Sequence, residues 1–402
     1  MRLFRALFDC VLLAAAIYYL SFMAMGCAPA DAVAPRSNDE QSDTLPTANP
    51  PNQPPPEAQV YQFGAKFEPP VGRVVHALGQ WQVYNAKYSA ILPASNQPLA
   101  ELSFIPIADT LRPWQPEIIG AHISAIGAAG RIPSIDISLR GNQPTPAELA
   151  LLADKLYGVD DEIAHGTKHD ARLMDLVNIV RLYRRPVMVR IGGEFNGSWN
   201  GYHPYDYPKA FRKIVNMFRA SGADNAAFIW CYEPAAPNDF DEKNAQGEYK
   251  WFPGADVIDW FSIDLFAAAD VSGSVIGHGG GATSYARTIR FLDMAVANQR
   301  PVVIAESSPS HYNFAVPAEA TNAWAEWFTP YFALIESRPE IKWFHYINYD
   351  WLQASYYAST GWKNNDLTVS AMLSQLYAAE IARPKYLHAG QQQLLKDYDK
   401  YK

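Results

Sequence analysis

Residues 186–202 read PVMVRIGGEFNGSWNGY, and two different patterns meet within them. The first six residues begin with the apolar run PVMV and have the length expected for a buried β-strand. The residues that follow are mainly glycines, aromatic side chains and a single carboxylate, Glu194. Residues that do chemistry are commonly carried on loops that a rigid scaffold holds in place. The stretch therefore predicts a buried strand that ends in a functional loop.

Similar apolar runs recur along the chain and alternate with helical segments. Alternating strands and helices indicate a parallel sheet, and eight strands are the number that closes such a sheet into a barrel. We therefore predict an α/β fold, the (β/α)8 TIM barrel. A doubly wound open sheet is the alternative, but no Gly-x-Gly-x-x-Gly motif follows the first strand. The predicted strands cover residues 73–79, 99–105, 132–139, 186–191, 226–232, 259–266, 301–305 and 342–348.

Amphipathic helices are expected between these strands. In YPKAFRKIVNMFRA, residues 207–220, four apolar side chains from Phe211 to Phe218 fall on one helical stripe. Such a stripe has to be buried against another element, here the outside of the sheet. Similar patterns occur at about 170–184, 284–298, 319–338 and 368–382.

The N-terminus resembles an export signal. Arg2 and Arg5 precede an apolar run that ends in AMGC, residues 24–27. This ending is similar to the lipobox of bacterial lipoproteins, in which the cysteine is lipidated and becomes the mature N-terminus. We therefore predict a signal peptide over 1–27, lipidation of Cys27, and export to the periplasmic or outer-membrane face of the cell envelope. An uncleaved transmembrane helix is the alternative.

Residues 28–59 form a separate segment. They are rich in Pro, Ser, Asn and Asp and hold few large apolar side chains, so they cannot bury a core. We predict a disordered linker over this segment and a barrel domain over 60–402. The protein would then contact a membrane only through its N-terminal anchor.

Composition limits the kinds of partner. The 402 residues carry a formal net charge of −8 without a basic run, which argues against nucleic acid. Aromatic residues make up 13% of the chain, a surplus that suits a ligand with flat apolar faces, such as a sugar, as well as a large core. Three scattered cysteines are too few for a disulfide framework or a zinc site. We expect neither a metal nor another cofactor.

Two carboxylates fall at strand ends. Glu194 follows the fourth predicted strand, and Glu306 ends the seventh. In a closed barrel such side chains point into one bowl at the C-terminal face. Two carboxylates across a cleft, one protonated and one ionised, are the minimum machinery for glycoside hydrolysis. Arg190 has the same inward phase as Glu194 and would keep a neighbouring carboxylate ionised, although a buried Arg–Glu pair that only fills the barrel is the alternative.

These segments resemble glycoside hydrolase family 26, the clan A β-mannanase family. RPVMVRIGGEFNGSW (185–199) is similar to the family's acid/base segment, WFPGADVIDWFSIDLF (251–266) to its sixth-strand segment, and PVVIAESS (301–308) to its nucleophile strand. The similarity spans residues 73–351, and the motifs occur in the family's order. The resemblance implies a retaining glycosidase that cleaves a β-linked polysaccharide or oligosaccharide, a β-mannan or a related β-glycan.

The resemblance also implies roles for particular residues. Glu194 would be the acid/base and Glu306 the nucleophile. Several residues near the strand ends would hold the sugar, with aromatic side chains on the rim and one tryptophan just past the eighth strand. The substrate-binding residues implied in this way are Arg190, Asn196, Trp199, Tyr202 and Trp351.

Two positions depart from the family's pattern. Gly193 stands where members usually carry His, and Phe266 stands where the clan often places Tyr. Both departures suit an alternative, a non-catalytic carbohydrate-binding barrel. Another alternative keeps the enzyme but places it in a secretion system, where it would trim exopolysaccharide in transit.

Overall fold

Eight parallel strands form a closed barrel in the computed structural model. Their order follows the sequence from the second strand to the eighth, and the first strand joins the two ends of this series. A short ninth strand pairs with the start of the first. The strands are β1 Val74–Leu78, β2 Ala100–Pro106, β3 Ile132–Ser138, β4 Val187–Ile191, β5 Ala226–Tyr232, β6 Trp260–Leu265, β7 Val302–Ser307, β8 Ile341–Tyr346 and β9 Tyr386–Leu387.

Helices lie between most successive strands and cover the outside of the barrel, whereas the connection from β5 to β6 contains only the short 3-10 helix Ala255–Val257. The apolar stripe of the helix over 207–220 is buried, as its sequence pattern predicts. A π-helical segment, Trp324–Phe328, joins two of the later helices into one longer element. The helices are α1 Gln82–Ala90, α2 Pro116–Ala128, α3 Pro146–Leu149, α4 Asp160–His165, α5 Asp170–Tyr183, α6 Tyr207–Ala220, α7 Ala268–Val271, α8 Ser284–Ala297, α9 Pro317–Ala323, α10 Thr329–Ser337, α11 Ser355–Ser359 and α12 Ala371–Ile381.

The strands separate two apolar layers. Outward-pointing residues such as Ile105 and Val189 pack against the helices. Inward-pointing residues of the strands form a second cluster with Phe67, Trp260 and Trp343. The two tryptophans lie at or near the starts of their strands, so this cluster fills the N-terminal end of the barrel. Polar inward-pointing side chains are left for the C-terminal end.

The barrel belongs to a single unit within Gln59–Lys402. Among the described helices, none has both the length and the apolar character needed to cross a membrane. The predicted signal over 1–27, including Cys27, and all of the predicted linker except Gln59 lie outside the described residues, so both stay predictions. The structure describes residues 59–80, 82–108, 113–142, 146–151, 156–273 and 283–401.

The predicted (β/α)8 barrel is confirmed. All eight predicted strands are present, each within about two residues of its expected position. The open-sheet alternative is wrong because β1 pairs with both β2 and β8 and so closes the ring. The helix predicted over 319–338 is divided by the π-helical segment between α9 and α10.

Candidate active site

Arg190 lies on β4 toward the C-terminal end of the barrel and is buried. Its guanidinium donates to three carboxylates: Asp136, Asp264 (Nη1 to Oδ2, 3.0 Å) and Glu306 (Nη2 to Oε1, 2.5 Å). Strand register places Asp136 beside Arg190 and Asp264 beside Glu306. Burial opposes the charge of Arg190, but the three carboxylates hold its pKa well above the ordinary value. The cluster therefore contains a permanent cation.

Glu306 is fixed from several sides. Its backbone N–H donates to Asp264 Oδ1 at 2.9 Å, and its carboxylate accepts hydrogen bonds from Arg190 and from Gln80 Nε2 at 3.4 Å. Burial raises the pKa of Glu306, while the charge and hydrogen bond of Arg190 oppose that rise. The pKa of Glu306 stays above its ordinary value, and the ion pair with Arg190 limits the rise by stabilising the ionised form of this carboxylate.

Glu194 has a different environment. Its carboxylate accepts a hydrogen bond from the indole Nε1 of Trp199 at 2.6 Å. Burial raises the pKa of Glu194 to about 7, and the charge of Glu306 adds to the rise. Its backbone φ of +50° lies in the left-handed region, which is costly for a residue other than glycine and is found mostly where function requires it. A carboxyl group that titrates near neutrality suits a general acid.

The loop after β4 leaves no room for a side chain at Gly193. A Cβ at this position would lie 2.5 Å from Asp136 Oδ2 and 2.7 Å from Arg190 Cζ. The N–H of Gly193 donates to the same Asp136 oxygen at 3.1 Å. A histidine here would collide with the Arg190 cluster, so this departure from the family pattern follows from the contact between Arg190 and Asp136.

Three of the predicted rim residues lie at different depths. Trp199 is half-buried, and its contact with Glu194 places it beside the predicted acid/base. Trp351 is only 1% exposed and packs edge-on against neighbouring aromatic rings. Tyr202 is only 3% exposed and stacks on Tyr207 with ring centroids 5.6 Å apart. The structure thus places Trp351 and Tyr202 in the core and not on the exposed rim, where they were expected.

Arg190 and Asn196 were also expected to contact substrate, and both are buried. The amide of Asn196 donates to the carbonyl oxygens of Glu233 (2.7 Å) and Asn238 (2.9 Å) and accepts from the N–H of Glu233 (3.0 Å). Asn196 therefore ties the loop after β4 to the loop after β5. Arg190 binds carboxylates of the protein itself. Both side chains are held by contacts within the protein, and their predicted contact with sugar stays a prediction.

Two further side chains complete the site, Asp136, which was not predicted, and Gln80. Asp136 is the lone carboxylate of the strand IPSIDIS, where it is buried at an inward position. A buried charge requires a partner, and this signal could have led to its pairing with Arg190. Gln80 follows β1 closely, where a barrel commonly carries functional side chains, but its contact with Glu306 depends on the closure of the ring.

Only one group of three potential metal ligands occurs in the described part of the chain. Asp160, Asp161 and His203 offer ligand atoms within 4.8 Å of one another. The carboxylate of Asp160 already accepts from the N–H of His203 at 2.7 Å and hydrogen-bonds its Nδ1 at 3.0 Å. These contacts hold the start of α4 against the loop after β4, which explains the cluster as a structural contact.

The closed barrel carries Glu194 and Glu306 toward its C-terminal end, and solved structures share its fold. A family 26 β-mannanase from Bacteroides ovatus superposes with a TM-score of 0.51 and 14% identity, over 79% of this chain and 91% of that one. A modular endo-β-1,4-mannanase from Cellulomonas fimi gives 0.51 and 17%, over 80% and 73%. The resemblance to family 26 is thus confirmed at the level of the fold.

Two characterised relatives are similar in sequence. A β-1,3-xylanase from Alcaligenes sp. is 29% identical over 266 residues, which are 60% of this chain and 52% of the relative. A β-1,3-xylanase from Vibrio sp. is 28% identical over 291 residues, or 67% and 58%. The matches therefore span little more than half the length of these relatives. No protein-family model matches the chain.

Proposed function

We propose that this protein is a retaining glycoside hydrolase that cleaves a β-linked polysaccharide. The observation that carries the proposal is the unlike environment of two glutamates at one end of the barrel. Glu306 is held by Arg190, whereas burial and a neighbouring negative charge raise the pKa of Glu194 to about 7. At neutral pH such a pair supplies one ionised and one protonated carboxyl group, the requirement for glycosidic bond cleavage.

The proposed reaction has two displacement steps. In the first, Glu306 attacks the anomeric carbon while Glu194 gives its proton to the departing glycosidic oxygen, which leaves a glycosyl ester on Glu306. In the second, Glu194 takes a proton from water, and the water oxygen attacks the anomeric carbon and releases Glu306. Two inversions retain the anomeric configuration.

Arg190 supports both steps without contacting the sugar. Its hydrogen bond to Glu306 keeps the attacking oxygen ionised before the first step. The same hydrogen bond stabilises the Glu306 carboxylate that is released in the second step. Asp136 and Asp264 hold the other guanidinium nitrogens, so the guanidinium orientation is fixed in advance. Preorganised charges of this kind lower a barrier because they need no rearrangement during the reaction.

We propose β-1,3-xylan as the first substrate to test. The sequence relatives are named for hydrolysis of β-1,3-xylan, whereas the mannanases share the fold at much lower identity. β-Mannan is the second candidate because solved structures that share the fold are named as β-mannanases.

The proposal is tested by incubating the purified protein with β-1,3-xylan, β-1,4-mannan, mixed-linkage β-glucan and β-galactan and measuring the release of reducing ends. We expect cleavage of at least one β-glycan, abolished in Glu306→Ala. Binding of a glycan without any cleavage would favour the non-catalytic barrel, and neither binding nor cleavage would contradict the proposal.

A further inference from the structure

Phe104 breaks the burial pattern of its strand. The other residues of β2 are buried or half-buried, whereas Phe104 is 40% exposed. Its inward phase is that of Ala100, which belongs to the cluster inside the barrel, while its neighbour Ile105 packs outward against the helices. An exposed phenylalanine that points inward in a barrel must face the open C-terminal end.

The ring lies beside the candidate catalytic cluster. Register pairs Phe104 with Asp136 on β3, and Asp136 with Arg190 on β4, so the three residues form one row across the sheet. The guanidinium carbon of Arg190 is 5.1 Å from the centroid of the Phe104 ring. The same guanidinium donates to Glu306 at 2.5 Å. One flat apolar ring is therefore next to the ion pair that holds the predicted nucleophile.

The Arg190 guanidinium makes a cation–π contact with this ring but leaves Phe104 40% exposed. The buried side chains beside it at the top of the barrel are charged, and a phenyl ring gives them no hydrogen bond. An exposed apolar surface in a concave site is stabilised when a ligand removes it from water. A pyranose ring has an apolar face of C–H groups and a polar edge of hydroxyls, which matches a phenyl ring bordered by charged groups.

We propose that Phe104 is a substrate-binding platform, on which the apolar face of the sugar ring next to Glu306 packs. The assignment rests on the proposed glycosidase function and deepens it. It adds an aromatic contact on β2 to the aromatic contacts predicted after β4 and β8. Trp351, which was expected to provide such a contact, is buried among other aromatic rings.

The experiment compares Phe104→Ala, Phe104→Leu and Phe104→Trp in the full protein. Dissociation constants for the polysaccharide are measured by affinity electrophoresis in a Glu306→Gln background, and KM is measured with Glu306 intact. We expect the Ala and Leu variants to weaken binding and raise KM by about tenfold. The Trp variant should keep the dissociation constant and KM of the wild type. Phe63→Ala, in the half-buried segment at the N-terminal end of the barrel, should change neither.

Each outcome has one meaning, provided that thermal unfolding shows the variants to be folded. Equal affinities for wild type and Phe104→Ala would overturn the platform, as would a Leu variant as good as wild type, since leucine has no flat face. Loss of glycan binding in Phe104→Ala, together with a wild type that binds but does not cleave, would support the platform and reject the hydrolase. A wild type that neither binds nor cleaves would reject both.

Discussion

Two residues of the same type have different chemistry in this site because their neighbours differ. Glu306 is bound by a buried arginine, whereas Glu194 accepts a hydrogen bond from a tryptophan and is raised to a pKa of about 7 by burial and the nearby negative charge. In the proposed mechanism, this difference would let one glutamate donate a proton and the other act as the nucleophile. Arg190 is thus the residue on which the asymmetry depends.

The titration of Glu194 predicts the alkaline limb of the activity profile. Because Glu194 must carry a proton in the first step, kcat/KM should fall as pH rises through about 7. Trp199→Phe removes a hydrogen bond that stabilises the ionised form, so the pKa of Glu194 should rise further and the limb should move to higher pH. Trp324→Phe, on the outer helical layer, is the control. A limb that moves to lower pH in Trp199→Phe would contradict this reasoning.

The same raised pKa has a consequence for stability. A carboxyl whose folded-state pKa is raised is easier to ionise in the unfolded chain, so stability is lost as pH rises from about 4.5 toward about 7. Glu194→Gln has no proton to lose. The difference in melting temperature between Glu194→Gln and wild type should therefore grow as pH rises through this interval and level off at higher pH. Calorimetry at several pH values measures this difference. The exposed Glu117→Gln should show no such trend, and a constant difference for Glu194→Gln would refute the linkage.

At the scale of the element, the loop after β4 depends on glycine for its shape. Gly192 has a φ of +58°, Gly193 touches the Arg190 cluster, and a Cβ on Gly197 would lie 2.4 Å from the ring of Trp199. These contacts place Glu194 in its left-handed conformation and bring Trp199 onto it. The loop is therefore built around close approaches that only glycine permits.

Gly193→Ala should disturb activity more than folding. The added methyl group would press on Asp136 and Arg190 and move the guanidinium away from Glu306, so we expect a large fall in kcat and a destabilisation of about 1–3 kcal/mol. Gly120→Ala on α2 is the matched control, because its Cβ would meet Ile179 only at 3.8 Å. Denaturant unfolding and initial rates measure the two effects, and an unchanged kcat for Gly193→Ala would show that the cluster tolerates the displacement.

Sequence patterns predicted the strands well and the site only in part. The strands were recognisable because apolar runs and strand ends are local features, and both Glu194 and Glu306 follow from them. The partnership of Asp136 with Arg190 depends on strand register, which no local pattern records. The burial of Trp351 depends on Trp362, which a later loop brings against it at a ring distance of 4.6 Å.

For the whole molecule, the two ends of the barrel differ in chemistry. Apolar side chains including Phe67 and Trp343 fill the N-terminal end, and the buried charges of the Arg190 cluster lie toward the C-terminal end. This division lets one end supply stability while the other holds charges that would be costly alone. Phe266, which lacks the hydroxyl of a tyrosine, packs against Trp362 with ring centroids 4.8 Å apart.

The predicted N-terminal signal leads to a prediction about localisation. If Cys27 is lipidated after cleavage, Cys27→Ser should move the protein from the membrane fraction to the soluble fraction, as fractionation and immunoblotting would show. Cys10→Ser, earlier in the apolar run, is the matched control and should leave the distribution unchanged. A Cys27→Ser protein that stays uncleaved in the membrane would support the transmembrane helix instead.

The proposed retaining mechanism requires that Glu306 form a covalent bond to the sugar. The most direct measurement is to incubate the protein with a 2-deoxy-2-fluoro glycoside that has an activated leaving group and to identify the labelled peptide by mass spectrometry. For this mechanism we expect one glycosyl unit attached to Glu306, in the peptide that contains PVVIAESS. A label on Glu194, or continued turnover of the natural substrate with inverted anomeric products and no label, would contradict it.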